Sequence, residues 1–320
     1  MMQRKPKPES FSKQLQSVPK RTGKKLPYIL SIFIFCFLTV NLFSQKDSMR
    51  IKIQHIIERS QGNVGLAVKG LEDNDSITFN GNVKFPMQSV FKLPLALAVL
   101  HMVDEGKLSL DQKIFVRKDE LLTNTWSPLK EKYSNGNVHV TLDEILFNTV
   151  SLSDNNGCDI LFRLLGGPEI VDQYIHSLGI TDISIVATEE EMHKEWDVQF
   201  SNWSSPAAMN QLLSLFFHDK ILSRKNKEYL WNIMVKTSTG SKRIKGSLPE
   251  GTIVAHKTGS SGTNSTGITA ATNDVGIVTL PNGNHFAIVV FVANSSADEK
   301  TREGIIAEIA KAVWDVYSVQ

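Results

Sequence analysis

The chain has 320 residues, of which 41% are hydrophobic and 21% are charged. These proportions are those of a folded globular protein, and they exclude a disordered or collagen-like chain. The formal net charge is +2, but residues 1–27 hold eight basic side chains and one acidic side chain, so they contribute +7 and the rest of the chain carries −5. A negative balance over the folded part argues against a nucleic-acid-binding surface.

The first 45 residues predict an export signal. The basic stretch is followed by residues 28–43, which contain no charged side chain. This run is shorter than the ~20 apolar residues that span a bilayer, and Ser44 offers a small residue for cleavage. We therefore expect a signal peptide over 1–45 and a periplasmic or secreted mature protein, with an uncleaved inner-membrane anchor as the alternative. Cys36 and Cys158 provide no intrachain disulfide framework once the run is removed.

In chain order, the apolar spacing predicts a helix over 49–59 and then a hairpin with strands 64–69 and 76–79. A helix from Ser89 to about Asp104 is apolar nearly all round, which is typical of a buried helix. Later helices are bounded by capping residues and by glycine stops, namely Thr141, Ser205, Gly166, Gly167 and Gly179.

Beyond residue 250 the pattern changes to strands, over 252–256, 269–280 and 285–293, and a closing helix follows over 298–317. Strands at both ends with helices between them predict an α/β (α+β) fold, in which the two chain ends form an antiparallel five-stranded sheet flanked by helices. We expect residues 46–86 and 237–320 to form the α/β domain and 87–236 to form an inserted all-α domain.

The first chemical motif is Ser89-Val90-Phe91-Lys92. On a helix, residues three apart share a face with ~5–6 Å between their Cβ atoms, close enough for an amine to take a proton from a hydroxyl. Only Ser89 opens a buried helix, where free N–H groups favour an oxyanion. The same spacing occurs in three places that we interpret as exposed tail or loop without function: Ser10/Lys13, Ser17/Lys20 and Ser127/Lys130.

Two further motifs follow along the chain. Ser153-Asp154-Asn155 stands at a helix start and Lys257-Thr258-Gly259 at a strand end. Each alone fits a plain interpretation, an N-cap for the first and a strand end with a turn for the second. Together with the Ser89 motif they supply a nucleophile beside an amine, a second hydroxyl, and a cation beside a threonine, which indicates a site for an anionic acyl substrate.

The chain resembles the class A serine β-lactamases over roughly residues 50–318, since S-x-x-K, S-D-N and K-T-G are all intact. It is most similar to the extended-spectrum branch of the PER type and its relatives from Bacteroidetes, through segments 188–193, 254–259 and 271–274. The resemblance implies the fold shared by serine β-lactamases and penicillin-binding transpeptidases, with β-lactams as substrates.

The resemblance also implies roles in catalysis. Ser89 becomes the nucleophile, Lys92 its proton partner, and Ser153 the donor to the departing lactam nitrogen. The backbone N–H groups of Ser89 and Ser260 would form the oxyanion hole. The resemblance selects Glu189 as the base that activates water against the ester. From the sequence alone, Glu189, Glu190 and Glu191 also fit a solvated acidic loop.

Substrate-binding roles follow from the same resemblance. Asn155 would hold the side-chain amide, and Lys257, Thr258 and Gly259 would line the subsite of the substrate carboxylate. Arg243 falls where related enzymes keep a second cation, although a solvated arginine is the alternative. Trp126 resembles the aromatic residue at the cleft entrance, with packing on the helical domain as the competing interpretation.

Two residues depart from the common family pattern. His193 stands where most relatives have an asparagine beside the hydrolytic water, and Asp159 replaces an asparagine early in the S-D-N helix. Because an aspartate cannot donate an amide N–H, we expect the Ω-shaped loop around Glu189 to be held differently. A wider cavity for bulky oxyimino-cephalosporins would result.

The sequence contains no motif for metal or nucleotide chemistry. It lacks H-E-x-x-H, a Cys/His cluster, a P-loop and a strand-linked G-x-G-x-x-G. We expect no metal, no cofactor and no nucleic-acid partner, and we expect a monomer. Two rival functions remain open. One is a penicillin-binding D-Ala-D-Ala peptidase that retains the drug as a stable ester, and the other is a non-enzymatic module that binds cell-wall peptide.

Overall fold

The computed structural model describes residues 2–3 and 45–319. The chain divides into two units, residues 1–47 and 48–320. Of the first unit only residues 2–3 and 45–47 are described, so the predicted export signal and its apolar run lie outside the described residues. Within the described residues, no helix has the length and apolar character needed to cross a membrane.

The second unit is built on an antiparallel sheet of five strands in the order β2-β1-β10-β9-β8. Its strands are β1 (Asn63–Gly70), β2 (Ser76–Phe79), β8 (Val254–Ser260), β9 (Thr269–Thr279) and β10 (His285–Ser295). Both chain ends therefore supply strands, as the sequence predicts. Two small sheets lie between them in sequence, made of β3 (Phe85–Pro86), β6 (Ile183–Ser184) and β7 (Trp203–Ser204), and of β4 (Lys113–Val116) and β5 (Val138–Thr141).

The helices surround this sheet or lie between its two halves in sequence. They are α1 (45–58), α2 (Lys92–Asp104), α3 (Pro128–Lys132), α4 (Leu142–Ser151), α5 (Asn155–Leu165), α6 (Pro168–Ser177), α7 (Glu189–Lys194), α8 (Pro206–Phe217), α9 (Arg224–Val235) and α10 (Glu299–Tyr317). Short 3-10 helices cover Gln88–Phe91, Lys118–Glu120, Trp196–Phe200 and Ile244–Ser247.

The large sheet is buried on both faces, and alternate residues of β10 show how. Ala287, Val289 and Phe291 pack with the helices of the central chain segment. Phe286 and Ile288 point the other way, into a cluster formed with α1 and α10. Successive side chains of a strand point to opposite faces, so a run of apolar residues without alternation covers both layers. The sheet therefore supports the candidate site.

The sequence-predicted start of the central helix differs from the structure. Ser89 lies in the 3-10 turn Gln88–Phe91, and the α-helix begins at Lys92. With Lys92 as the first helical residue, Pro94 is the third, where an N–H has no partner within the helix. An α-helix that began at Ser89 would need the N–H that proline lacks.

Most predicted boundaries agree with the structure to within two residues. Ser205 caps α8 through its side chain, and Gly166 ends α5 in the left-handed conformation with φ +100°. The predicted class and the five-stranded sheet are confirmed. The predicted division into an α/β and an all-α domain stays a prediction. Across that proposed boundary, Asn210 of α8 donates hydrogen bonds to the carbonyls of Ala67 and Ala287 on the sheet.

Candidate active site

The hydroxyl of Ser89 faces two side chains that could move its proton. It donates to Glu189 Oε1 at 3.2 Å, and Lys92 Nζ lies 3.1 Å away. The spacing of three along the turn brings Ser89 and Lys92 onto one face. Glu189 comes from α7, one hundred residues downstream, so the nucleophile segment and the acidic loop meet here.

Lys92 is completely buried, and oxygen atoms surround its ammonium. Its Nζ lies 2.8 Å from Glu189 Oε1, 2.9 Å from the Ser153 carbonyl and 2.5 Å from Asn155 Oδ1, in addition to Ser89. A buried cation is tolerated only when it is paired and hydrogen-bonded. The S-D-N motif and Glu189 together meet that requirement.

Ser153 adopts a left-handed conformation with φ +59°, just before α5 begins. Its hydroxyl accepts a hydrogen bond from Lys257 Nζ at 2.8 Å, and Lys257 also donates to the carbonyl of Thr258. The second and third motifs therefore meet directly. The hydroxyl of Ser153 lies on the Lys257 side of the site, while its carbonyl faces Lys92.

Lys257 is completely buried on β8. Burial holds the pKa of its ammonium well below the usual value, and the nearby charge of Lys92 acts in the same direction. The carboxylates of Glu189 and Asp274 oppose this effect. A bound anion would favour the charged form of Lys257 further.

Asp154, the central residue of the S-D-N motif, is a hydrogen-bond acceptor for the surrounding chain. Its carboxylate accepts hydrogen bonds from Gly157 N at 2.8 Å, Leu129 N at 2.6 Å and Ser127 Oγ at 2.9 Å. Burial raises the pKa of this carboxyl, and these hydrogen bonds oppose the rise. Ser127, which the sequence placed in an exposed loop, is in fact buried and caps α3. Asp154 is therefore an N-cap that also fixes the neighbouring loop.

Asn155 connects the site to the loop that carries Trp126. Its Nδ2 donates to Thr125 Oγ1 at 2.7 Å, and its backbone N–H donates to the Trp126 carbonyl at 3.0 Å. The Trp126 side chain is 56% exposed and is anchored by a hydrogen bond from Nε1 to the carbonyl of Leu152. Trp126 is thus partly exposed while its indole is tied to the end of α4, so its role at the cleft entrance stays a prediction.

The three adjacent acids occupy different environments. Glu189 is buried and faces Ser89 and Lys92. The Glu190 side chain is 55% exposed, and Glu191 accepts hydrogen bonds from the backbone and hydroxyl of Thr188 in a capping box. A solvated acidic loop thus describes Glu190 but not Glu189.

Asp159 holds the start of α7. Its two carboxyl oxygens accept the backbone N–H groups of Glu189 at 2.8 Å and Glu190 at 2.9 Å. Burial raises the pKa of the Asp159 carboxyl to about 7. The two hydrogen bonds lower this pKa, and the neighbouring Glu189 carboxylate raises it. An acceptor on α5 therefore secures the loop, in keeping with the absence of an amide donor at this position.

His193 lies one turn after Glu189 on α7. Its Nδ1 lies 2.7 Å from the Glu189 carbonyl, so the imidazole is tied to the same short helix. A cavity of about 290 Å³ is lined by His193, Glu189, Asp159 and Asn155 among others. This space lies beside the proposed base, where a substrate side chain or a water molecule could be placed.

Arg243 is buried rather than solvated, so the surface interpretation of this residue is wrong. Its guanidinium donates to Ser260 Oγ at 2.7 Å, to the carbonyls of Gly259 and Asn273, and to Glu303 Oε1 at 3.1 Å. The arginine lies against the end of β8, next to the K-T-G motif.

The K-T-G strand is held closely on both sides. Thr258 Oγ1 lies 2.6 Å from Thr239 Oγ1, and Gly240, with φ +65°, leaves room for the Thr258 methyl group. A Cβ on Gly259 would lie 2.4 Å from the Met87 carbonyl. Only glycine lets the end of β8 approach the segment that precedes Ser89 so closely.

Sequence reasoning missed two residues that shape the site. Gln88 is buried with φ +49° and donates from Nε2 to Gln199 Oε1 at 2.7 Å. Asn273 Nδ2 donates to the carbonyls of Pro86 and Met87. A signal existed for Asn273, since an amide within an apolar strand buried on both faces must find partners. No pattern singled out Gln88.

The assembled groups can perform acyl transfer. A hydroxyl nucleophile faces an amine and a carboxylate, a second hydroxyl lies beside a cation, and a further arginine borders the same strand end. Among the described residues, no group of three or more His, Cys, Asp or Glu side chains could hold a metal ion.

Comparison with known proteins agrees with this geometry. Residues 48–317 match the beta-lactamase enzyme family. β-Lactamase VEB-1 from Pseudomonas aeruginosa is 47% identical over 291 residues, covering 90% of this chain and 96% of that protein. Extended-spectrum β-lactamase PER-1 from the same organism is 42% identical over 284 residues, covering 89% and 92%. The crystal structure of a β-lactamase from Chitinophaga pinensis has a TM-score of 0.83 at 54% identity, covering 84% of this chain and 99% of that chain.

The chain therefore belongs to the β-lactamase enzyme family. It has the serine β-lactamase fold of class A and is a hydrolase that acts on the cyclic amide of β-lactams, cephalosporins included. The resemblance to the PER branch, based on three motifs and three short segments, is confirmed.

Proposed function

We propose that the enzyme hydrolyses penicillins and cephalosporins, including oxyimino-cephalosporins, through an ester on Ser89 and a water molecule activated by Glu189. The placement of Glu189 carries this proposal. Its Oε1 lies 3.2 Å from Ser89 Oγ and 2.8 Å from Lys92 Nζ, and its side chain is 6% exposed. A positioned carboxylate beside the nucleophile is what hydrolysis of the acyl-enzyme requires.

Acylation begins when Ser89 Oγ attacks the lactam carbonyl carbon. Its proton passes to the Lys92–Glu189 pair: Glu189 takes a proton from Lys92, and the resulting Lys92 amine, as the proton partner, accepts the proton of Ser89. The ester C–O bond forms as the lactam C–N bond breaks, and the leaving nitrogen takes a proton from the Ser153 hydroxyl. The Lys92–Glu189 pair then returns one proton to Ser153, so Glu189 is again a carboxylate before deacylation. The hydrogen bond from Lys257 to that hydroxyl supports the role, because a cation stabilises the oxygen as its proton leaves.

The negative charge of the tetrahedral intermediate is stabilised by the backbone N–H groups of Ser89 and Ser260. Donors aimed at a developing oxyanion contribute a large share of the rate in acyl transfer. The close approach of Gly259 to the Met87 carbonyl supports this pairing, since it brings the end of β8 beside the Ser89 turn.

The substrate carboxylate is bound by Lys257, Thr258 and Arg243. Lys257 is the nearer cation to Ser153, and Arg243 reaches the same strand end through Ser260. On the other side of the cleft, Asn155 holds the side-chain amide, and the exposed Trp126 borders the entrance. The cavity beside Asp159 and His193 accepts the bulky oxyimino group.

Deacylation uses a water molecule that Glu189 activates as general base. The water attacks the ester carbonyl carbon, the C–O bond to Ser89 breaks, and Ser89 recovers a proton. His193 takes the place of the common asparagine near this water. Its hydrogen bond to the Glu189 carbonyl supports a role in holding that part of the loop.

Extended-spectrum activity is proposed from two sources. PER-1, at 42% identity, is an extended-spectrum β-lactamase by name. The cavity bounded by Asp159, Glu189 and His193 supplies space next to the subsite for the side-chain amide. Initial rates with benzylpenicillin, a simple cephalosporin and an oxyimino-cephalosporin test this point.

The competing function is a penicillin-binding D-Ala-D-Ala peptidase, which would share Ser89, Lys92, Ser153 and Lys257 but keep the drug as a stable ester. Burst kinetics with a chromogenic cephalosporin separate the alternatives. Sustained turnover supports the proposal, a stoichiometric burst indicates the peptidase, and no colour change indicates a binding module. The buried Glu189 favours sustained turnover.

We also propose that the mature enzyme acts in the periplasm or after secretion, with the signal of residues 1–45 removed, as a monomer without a cofactor and without a nucleic-acid partner. The basic and then apolar N-terminal sequence supports export. The α/β domain (46–86 and 237–320) and the all-α domain (87–236) remain part of this proposal. The N-terminal sequence of the purified mature protein and its mass in solution test these points.

A further inference from the structure

A buried carboxylate lies behind the K-T-G strand. Asp274 of β9 and His256 of β8 are both fully enclosed, and His256 Nδ1 lies 2.9 and 3.1 Å from the two Asp274 oxygens. The carboxylate also accepts the backbone N–H of Ile244 at 3.1 Å. No step of the proposed reaction uses Asp274 or His256.

Each partner of Asp274 is next in sequence to a cation of the substrate-carboxylate subsite. His256 directly precedes Lys257, and Ile244 directly follows Arg243. The position is reinforced by the preceding residue on β9, because the carbonyl of Asn273 accepts a hydrogen bond from Arg243 at 2.9 Å. Asn273 and Asp274 of β9 thus contact both the strand that carries Lys257 and the turn that carries Arg243.

The charge of Asp274 also acts on the cationic side chains around it. It favours the protonated forms of Lys257 and Lys245, whereas burial lowers the pKa of both ammonium groups. The other charged or titratable groups that face Lys257 are Lys92, Glu189 and Cys158. A buried carboxylate is costly unless it is paired, and the contacts of Asp274 with His256 and with the Ile244 N–H meet that requirement.

We propose that Asp274 is a positioning residue that fixes Lys257 and Arg243 together for the substrate carboxylate. It acts through His256 on the strand that carries Lys257 and through Ile244 on the turn that carries Arg243. The inference rests on the proposed function, in which these two cations bind that carboxylate. Without Asp274, Lys257 would lose both its alignment and a neighbouring negative charge.

The test compares Asp274→Asn with the wild-type enzyme on two substrates, a chromogenic cephalosporin and its methyl ester. The expected result is that the acid-to-ester ratio of kcat/KM falls about tenfold or more, mainly through a higher KM for the acid. The alkaline limb of kcat/KM for the acid moves to lower pH, because one of the charges that keep Lys257 protonated is gone.

The matched control is Asp172→Asn on α6. Asp172 also accepts a backbone N–H, that of Ile185 at 2.8 Å, and faces a histidine, His176, at 3.4 Å. It belongs to no part of the proposed site. We expect this variant to keep the acid-to-ester ratio and the pH profile of the wild type within about twofold.

The outcomes distinguish the proposed carboxylate subsite from the positioning role of Asp274. If the wild-type enzyme itself does not prefer the acid, the proposed carboxylate subsite is wrong and the role of Asp274 falls with it. If the wild type prefers the acid and Asp274→Asn keeps that preference, the positioning role alone is overturned. Should Asp274→Asn fail to fold, the double variant Asp274→Asn/His256→Asn places two neutral amides at the buried contact and is measured in the same way. Failure of both to fold would assign Asp274 to folding and overturn the proposal.

Discussion

The Glu189 carboxylate lies 2.8 Å from the Lys92 ammonium, and both side chains are closed off from solvent. In a buried ion pair, removal of one partner leaves an uncompensated charge and is strongly destabilising. The pair therefore both stabilises the site and supplies its proton-transfer groups. Variants that test its chemistry must keep the shape and hydrogen bonds of the replaced side chain.

Ser89→Ala removes the attacking oxygen and leaves the 3-10 turn intact. We expect kcat/KM to fall by about three decades or more, as it does when a serine nucleophile is lost. Circular dichroism and the midpoint of thermal unfolding should match those of the wild type. Turnover near the wild-type level in this variant would remove Ser89 from its role.

Arg243→Ala should weaken capture of the substrate more than the chemical steps. We expect KM for a cephalosporin to rise about tenfold while kcat changes less, because the cation contributes to binding in ground and transition states alike. Esterification of the substrate carboxylate should erase the difference between variant and wild type. The variant should also unfold more readily, since Glu303 and two backbone carbonyls lose their donor. A KM that stays unchanged would rule out the second cation.

Asp159→Asn should change the pH dependence of stability. The folded protein keeps the Asp159 proton up to about pH 7, whereas the ordinary pKa is 3.8. The folded state therefore binds more protons than the unfolded state between these values, so this contribution to stability is present at low pH and is lost as pH rises through 7.

The asparagine does not titrate, so from pH 5 to pH 8 the variant should gain up to about 2.5 kcal/mol relative to the wild type. Urea unfolding at both pH values provides the measurement. An equal difference between the two proteins at pH 5 and pH 8 would show that Asp159 is already ionised in the acidic range.

Asp154→Ala should destabilise the fold by about 3 kcal/mol or more, because three buried donors lose their common acceptor. The matched control is Asp298→Ala, which removes the N-cap of α10 at an exposed position, where the carboxylate accepts the backbone N–H of Thr301. Thermal unfolding of both variants should show a clearly smaller loss for the control. Equal losses would mean that Asp154 acts only as an ordinary cap.

The sequence predicts the order of the elements well because strong local signals mark them. Ser205 with Pro206 at a helix start and Gly166 at a helix end act through short-range geometry, and the structure places them as expected. The apolar runs of β9 and β10 are buried on both faces. The sequence therefore predicts strands there although apolar and polar residues do not alternate. The S-D-N motif stands at the start of α5 as predicted. Ser89 instead lies in the 3-10 turn before α2, and Lys257-Thr258-Gly259 lies within β8, which continues to Ser260 and not only to the predicted residue 256.

Other features depend on contacts between distant segments. The start of α2 is set by Pro94 together with the left-handed Gln88, and Gln88 is held by Gln199 from another loop. The burial of Arg243 follows from Glu303 and from carbonyls of two strands. None of these pairings is visible in the periodicity of a single segment, which is why the sequence left Arg243 between a binding role and the surface.

Glu189→Gln tests which of the three adjacent acids activates the water molecule. Glutamine keeps the shape and can accept a hydrogen bond, but it cannot act as a base. We expect Ser89 to be acylated by a cephalosporin while the ester persists. Glu190→Gln and Glu191→Gln serve as controls and should turn over substrate within a few fold of the wild type, because neither side chain faces Ser89. His193→Asn should also remain active.

The measurement is the intact mass of each variant after mixing with a cephalosporin. We expect a long-lived adduct of one drug molecule on Glu189→Gln and free enzyme for the Glu190 and Glu191 variants. A stable adduct on either control, with rapid release from Glu189→Gln, would mean that a residue other than Glu189 activates the water.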